Sequence, residues 1–261
     1  MTTVLLFHHA LGQTTGFLAF AEELREAGHT VHAPDLYDGK TFGDIDEGVA
    51  NAKQVGFGEI IRRGSAAAEE LPADIVYAGF SLGGMPAQSL AQTRPGARGA
   101  LFFHSALPPS EFDSPWPEGV PLQIHMMDAD PWAEEDLPAA EALVQEVQDA
   151  ELFLYPGSGH LFAEPSVDDY DEKAAGLLKE RTLAFGRRRI SKGKAEPRGQ
   201  SVSGTAEHSL HRKQVFVAAL KRVNKELARL QKFEARKELG EAARRALALR
   251  RAQQFSRPAN E

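Results

Sequence analysis

Six short apolar runs alternate with longer amphipathic ones through residue 185, and that alternation restricts the fold more than any other feature of the chain. The runs 2–8 (TTVLLFH), 29–33 (HTVHA), 74–78 (DIVYA), 99–105 (GALFFHS), 120–126 (VPLQIHM) and 150–155 (AELFLY) are rich in Val, Leu, Ile and Phe and bounded by Gly, Pro or Asp. They read as strands. Helical patterns fill most of the intervals, at 16–27, 56–70, 84–94, 133–148 and 166–185. Strands separated by helices of this length pair in parallel through crossovers, so the expected class is α/β, with a mostly parallel central sheet covered by helices on both faces. In such sheets the chemistry gathers at the carboxyl ends of the strands.

The charge distribution divides the chain near Gly186. Residues 1–186 hold 10 Lys and Arg against 30 Asp and Glu, a net −20, whereas 187–261 hold 20 against 7, a net +13. The switch opens with Arg187-Arg188-Arg189 and runs into SKGKAEPRGQSVSGTAEH, too polar and too rich in small residues to bury a core. The expected organisation is therefore a catalytic domain over 1–186, a flexible basic linker over 187–212 and a basic helical tail over 213–261. In that tail Phe216, Leu220, Val223, Leu227 and Leu230 form one apolar stripe at helical spacing. No apolar stretch approaches the ~18 residues of a membrane span, and the first strand lacks the basic flank and length of a signal segment. A cytoplasmic protein with no membrane partner is expected. With no cysteine in the sequence, covalent chemistry falls to another side chain.

The third strand runs directly into Gly79-Phe80-Ser81-Leu82-Gly83-Gly84, and a helix follows. A serine hydroxyl is a weak nucleophile until it is held exposed beside a base, with donors ready for the oxyanion formed on attack. A tight strand-to-helix turn supplies exposure and donors together. Gly79 and Gly83 stand where any Cβ would crowd that turn, and the helix N-terminus aims the backbone N–H of Leu82 at the developing charge. Ser81 is the candidate nucleophile.

Its partners follow in the chain order Ser, Asp, His that this architecture uses. Asp128 and Asp130 both lie just beyond the fifth strand, and His160 follows PGSG beyond the sixth. Either aspartate is within reach of a neighbouring imidazole; Asp130, in Asp-Pro, sits farther out on the loop. His8 and His9 after the first strand and His104 at the end of the fourth are candidates for the pocket lining. The nine histidines show no metal-ligand spacing, and no glycine-rich nucleotide motif is present, so neither a metal nor a cofactor is expected.

These residues resemble the dienelactone hydrolases, single-domain enzymes of the α/β-hydrolase fold, over roughly residues 2–185. The resemblance is carried by HHALG (8–12), PDLY (34–37), GFSLGG (79–84), DADPW (128–132) and GSGHLF (157–162). It implies Ser81 as nucleophile, Asp130 as the carboxylate, His160 as base, and the Ala10 amide as second oxyanion donor beside Leu82. Three positions depart from the family. Serine replaces the family's cysteine, and His9 stands where the family places a glutamate. A family arginine that binds the substrate carboxylate, four residues beyond the histidine, matches Glu164. On this basis Glu164 is expected to face the pocket and disfavour anionic acyl groups.

The function expected from the sequence is a cofactor-free serine hydrolase that cleaves small carboxylic esters or lactones through an acyl-enzyme. Two alternatives use the same features differently. In one the triad performs perhydrolase or lyase chemistry; in the other the fold is a carrier whose basic tail binds nucleic acid or an anionic partner.

Overall fold

The computed structural model describes residues 1–192 apart from Asp113, Glu134 and Glu135, with only the backbone described from 186 onward. The rest of the expected linker, and the tail stripe from Phe216 to Leu230, lie outside the described residues.

Six strands form one sheet: β1 (Thr3–Phe7), β2 (Thr30–His32), β3 (Val76–Phe80), β4 (Gly99–Phe103), β5 (Leu122–Met127) and β6 (Ala150–Tyr155). Their order is β2-β1-β3-β4-β5-β6, with every neighbouring pair parallel. Every residue of β3, β4 and β5 is buried, including Gln123 and His125 of β5, as expected of strands covered on both faces. The edge strands are more open: β2 buries only Val31, and Leu154 on β6 is 43% exposed.

Among the described residues there are six α-helices: α1 (Thr15–Glu26), α2 (Ile45–Val55), α3 (Phe57–Glu69), α4 (Gly84–Thr93), α5 (Leu137–Glu146) and α6 (Glu172–Lys192). On one face Phe17, Phe20 and Leu24 of α1 and Leu178 and Phe185 of α6 join Leu6, Ala78, Phe80, Leu101 and Phe103 in a single apolar cluster. Successive strand residues point to opposite faces, so Phe7 turns the other way. There its ring meets Gly64 of α3, and a side chain on Gly64 would also strike Pro86 of α4. Both faces are thus covered, as expected.

Two boundaries differ from the sequence reading. Helix α2 has no apolar stripe to read: it buries only Gly48, Asn51 and Ala52, and it is started by Asp44, whose Oδ1 accepts from the Asp46 and Glu47 amides. Helix α6 begins six residues later than the pattern suggests, because Asp171 Oδ1 accepts from Ala174 N at 2.8 Å and fixes the start there. Its backbone continues through Lys192, across the boundary drawn at Gly186.

Candidate active site

Strand β3 ends in a 3-10 turn, Ser81–Gly83, that leads straight into α4. Ser81 has φ +46°, a left-handed conformation that non-glycine residues adopt only where the surroundings impose it. Those surroundings are identifiable. A Cβ on Gly79 would collide with the Gly83 carbonyl, and one on Gly83 would come 2.5 Å from Phe7 O and 2.7 Å from His8 O at the end of β1. The Ser81 carbonyl is held by Ser105 Oγ at 3.0 Å. Close backbone packing therefore turns the Ser81 hydroxyl out of the sheet.

His160 Nε2 lies 2.7 Å from Ser81 Oγ, and His160 Nδ1 lies 2.7 Å from Asp130 Oδ2. An ionised carboxylate can only accept, so Nδ1 carries the hydrogen and Nε2 is free to accept from the serine. Asp130 Oδ1 accepts from Trp132 N at 2.8 Å, which fixes the plane of the carboxylate. Asp128, the alternative left open by spacing, is exposed, and its Oδ1 accepts from Gly157 N at 3.1 Å. It tethers the loop that carries His160. The Trp132 ring lies 5.5 Å from the His160 ring, tilted by 33°, a contact that sequence reading did not anticipate.

The loop after β1 is held from several sides. Gly12 N donates to His9 O at 3.1 Å, and His8 Nδ1 donates to the same oxygen at 2.7 Å while its Nε2 accepts from Leu36 N at 3.0 Å. Burial pushes the His8 imidazole down to about 4, so it is neutral and its tautomer is set by these partners. The His9–Ala10 peptide thus has its carbonyl fixed by two donors. In a trans peptide the N–H points the opposite way, so the direction of the Ala10 amide is fixed too.

Glu164 corrects an expectation. It is 3% exposed, and both oxygens are occupied. Oε2 accepts from His9 Nε2 at 2.9 Å and Thr14 Oγ1 at 2.6 Å, and Oε1 accepts from Ser166 N at 3.1 Å and Ser166 Oγ at 2.6 Å. Burial alone would raise its pKa and is the largest influence on it. The donors from His9, Ser166 and Thr14 outweigh that and hold it at about 2. Thr14 is also the N-cap of α1, and a Cβ on Gly16 would collide with Oε1, so the carboxylate sits at the positive end of that helix. Glu164 therefore does not meet a substrate acyl group, and the expected discrimination against anionic esters loses its basis. Sequence reading missed Thr14 and Ser166; the Thr-Thr-Gly at the start of α1 and the Ser two residues after Glu164 were the available signals.

His9 and His104, the other candidates for the pocket lining, are each 1% exposed. His104 has φ +66° and packs against Phe80, Phe162 and His160, with ring centroids 5.7, 4.5 and 6.1 Å away. Burial drives its pKa well below the usual imidazole range, so it is a neutral packing group beside the base. Among the described residues no cluster of three or more His, Asp or Glu side chains has the arrangement of a metal site. Nor is any described helix long and apolar enough to cross a membrane.

Comparison with known proteins matches residues 1–188 to the model of the dienelactone hydrolase family. No curated protein matches the sequence. Among solved structures, a dienelactone hydrolase-like promiscuous phosphotriesterase from metagenomic libraries superposes with a TM-score of 0.58 at 17% identity, over 72% of this chain and 86% of that one. Dienelactone hydrolase from Anabaena variabilis gives 0.54 at 19% identity, over 72% and 86%. The mouse alpha/beta hydrolase domain-containing protein 10 gives 0.53 at 13% identity, over 71% and 90%. At these identities the likeness establishes a common α/β-hydrolase fold.

Proposed function

The chain belongs to the dienelactone hydrolase family and is a hydrolase, and we propose that it cleaves small carboxylic esters or lactones with Ser81 as the nucleophile. One observation carries the reading: Ser81 Oγ and Asp130 Oδ2 each lie 2.7 Å from opposite nitrogens of the same imidazole. Ser81 Oγ attacks the carbonyl carbon as its proton passes to His160 Nε2, and Asp130 stabilises the imidazolium without taking a proton. The negative charge that develops on the carbonyl oxygen is received by the backbone amides of Leu82 and Ala10. Collapse of this tetrahedral species breaks the ester C–O bond, and His160 returns the proton to the departing alkoxide. Water, deprotonated by His160, then attacks the acyl-serine, and the second collapse releases the carboxylic acid and restores the Ser81 hydroxyl.

A serine in place of the family's cysteine makes this proton relay necessary, because a hydroxyl is not ionised near neutral pH and is not a competent nucleophile without a base. The test is hydrolysis of p-nitrophenyl acetate by the unmodified chain and by Ser81→Ala. The triad acts as a unit, so the alanine variant is expected to lose ~10⁴–10⁶ in kcat while keeping its circular dichroism spectrum. A folded variant that retains more than a tenth of the rate would sink the assignment.

A further inference from the structure

Glu164 and His9 are buried polar groups that the proton relay does not use. They repeat its logic in a second carboxylate–histidine pair. A carboxylate accepts from one nitrogen of a histidine, Glu164 Oε2 from His9 Nε2 at 2.9 Å, while the opposite nitrogen faces a backbone N–H and so acts as an acceptor. That nitrogen, His9 Nδ1, accepts from Leu11 N at 3.3 Å. The residue between His9 and Leu11 is Ala10, whose amide is one of the two donors assigned above to the oxyanion. Glu164 is also only four residues beyond His160. One carboxylate thus joins the loop carrying the base to the loop carrying the oxyanion donor.

We propose that Glu164 is a positioning residue that acts through His9: it fixes the His9 tautomer, and so secures the Leu11 amide and aims the Ala10 N–H at the reacting carbonyl oxygen. The proposal rests on the Ser81 reading and extends it. Donors that must be aligned before charge develops lose much of their effect when a loop can swing, because only a preorganised donor avoids reorganisation during the reaction. The surroundings make the device specific to a carboxylate. Ser166 N–H must have an acceptor at Oε1, and the first turn of α1 closes on the same oxygen at Gly16, so a side chain here cannot move aside.

The isosteric Glu164→Gln variant tests this in the full chain. Its amide oxygen is required by Ser166 N–H, which leaves the NH₂ group facing His9 Nε2. His9 must then carry its hydrogen on Nδ1, opposite the Leu11 N–H, and two donors oppose each other where one bond stood. With active sites counted by fluorophosphonate titration, kcat for p-nitrophenyl acetate is expected to fall about 10- to 100-fold with KM within about 3-fold, as expected for impairment of one oxyanion donor. The inhibition constant of a trifluoromethyl ketone, which forms a tetrahedral adduct on the serine, should rise by the same factor as kcat/KM falls. That of a product carboxylic acid should not move.

His9→Phe removes both the acceptor for Leu11 N–H and the Nε2 donor to Glu164, leaving Glu164 its Thr14 and Ser166 donors, and the double variant His9→Phe/Glu164→Gln is expected to lose no more than the worse single one. Three results would overturn the proposal: an unchanged kcat per titrated site, a rise confined to KM, or full additivity of the two losses. Should Glu164→Gln merely fold poorly, the titrated fraction falls while kcat per site holds, and that result also counts against it. If Ser81→Ala is as active as the unmodified chain, the underlying reading goes as well; if Ser81→Ala is inactive and Glu164→Gln is normal, only the positioning role is lost.

Discussion

Replacing Asp130 by asparagine separates the two aspartates that spacing left in competition. Asp130 is held at both oxygens, with Oδ1 2.8 Å from Trp132 N and Oδ2 2.7 Å from His160 Nδ1. The Trp132 amide can only donate, so the asparagine carbonyl oxygen must take the Oδ1 place and the NH₂ group must face His160. The imidazole then carries its hydrogen on Nε2, where Ser81 needs an acceptor, and the serine has no base. The reversed amide is no escape, since it buries two opposed donors at a cost of about 1–3 kcal/mol. Loss of the working tautomer lowers kcat by about 10⁴, or roughly 5 kcal/mol in the barrier. Asp128→Asn keeps an oxygen for Gly157 N at an exposed site, and kcat should stay within about 2-fold. The assay is kcat for p-nitrophenyl acetate, normalised by fluorophosphonate-reactive sites. Equal losses in the two variants, or a larger loss at Asp128, would refute the tautomer argument.

Two further outcomes follow from the packing. Gly83→Ala drives a methyl group into the Phe7 and His8 carbonyls, which belong to rigid backbone. It should lower stability by about 1–3 kcal/mol and abolish ester hydrolysis, whereas a fully active, equally stable alanine variant would show that the turn can relax. Acid stability is set partly by buried imidazoles. Burial lowers His8 to about 4, His125 to about 3 and His104 well below its usual value, so these three take up protons near pH 6 only when the chain unfolds. Stability therefore falls as pH drops below 6.5, with a slope approaching three protons, or about 4 kcal/mol per pH unit, between pH 6 and 5. Urea unfolding at these pH values measures it, and a contribution below one proton from these residues, found by comparison with a His8→Gln/His125→Gln variant, would contradict their burial as neutral groups.

Much of this architecture was legible because its physics is local. The buried parallel strands read as short runs rich in Val, Leu, Ile and Phe bounded by Gly, Pro or Asp, and Gly79, Ser81 and Gly83 reveal a turn in which steric exclusion leaves no other residue at the flanking positions. Helix α2 was not legible, since a helix that buries only Gly48, Asn51 and Ala52 has no hydrophobic period. The choice between Asp128 and Asp130 was open to spacing, because both follow β5 closely and only the pairing of Asp130 with Trp132 N and His160 distinguishes them. Glu164 shows the limit most clearly. From sequence it was a charge close to the base and inside an acidic segment; its burial against Thr14, Gly16 and His9 joins residues about 150 positions apart, and no local pattern records that contact.

The central claim is that Ser81 forms the covalent bond to substrate, and labelling with a fluorophosphonate followed by intact-mass measurement and peptide mapping tests it most directly. The account expects one phosphonyl group per chain, located on the peptide that carries Gly79-Phe80-Ser81-Leu82-Gly83, and no adduct on Ser81→Ala. Stoichiometric labelling of Ser81→Ala, or an adduct mapped to any other residue, would contradict it.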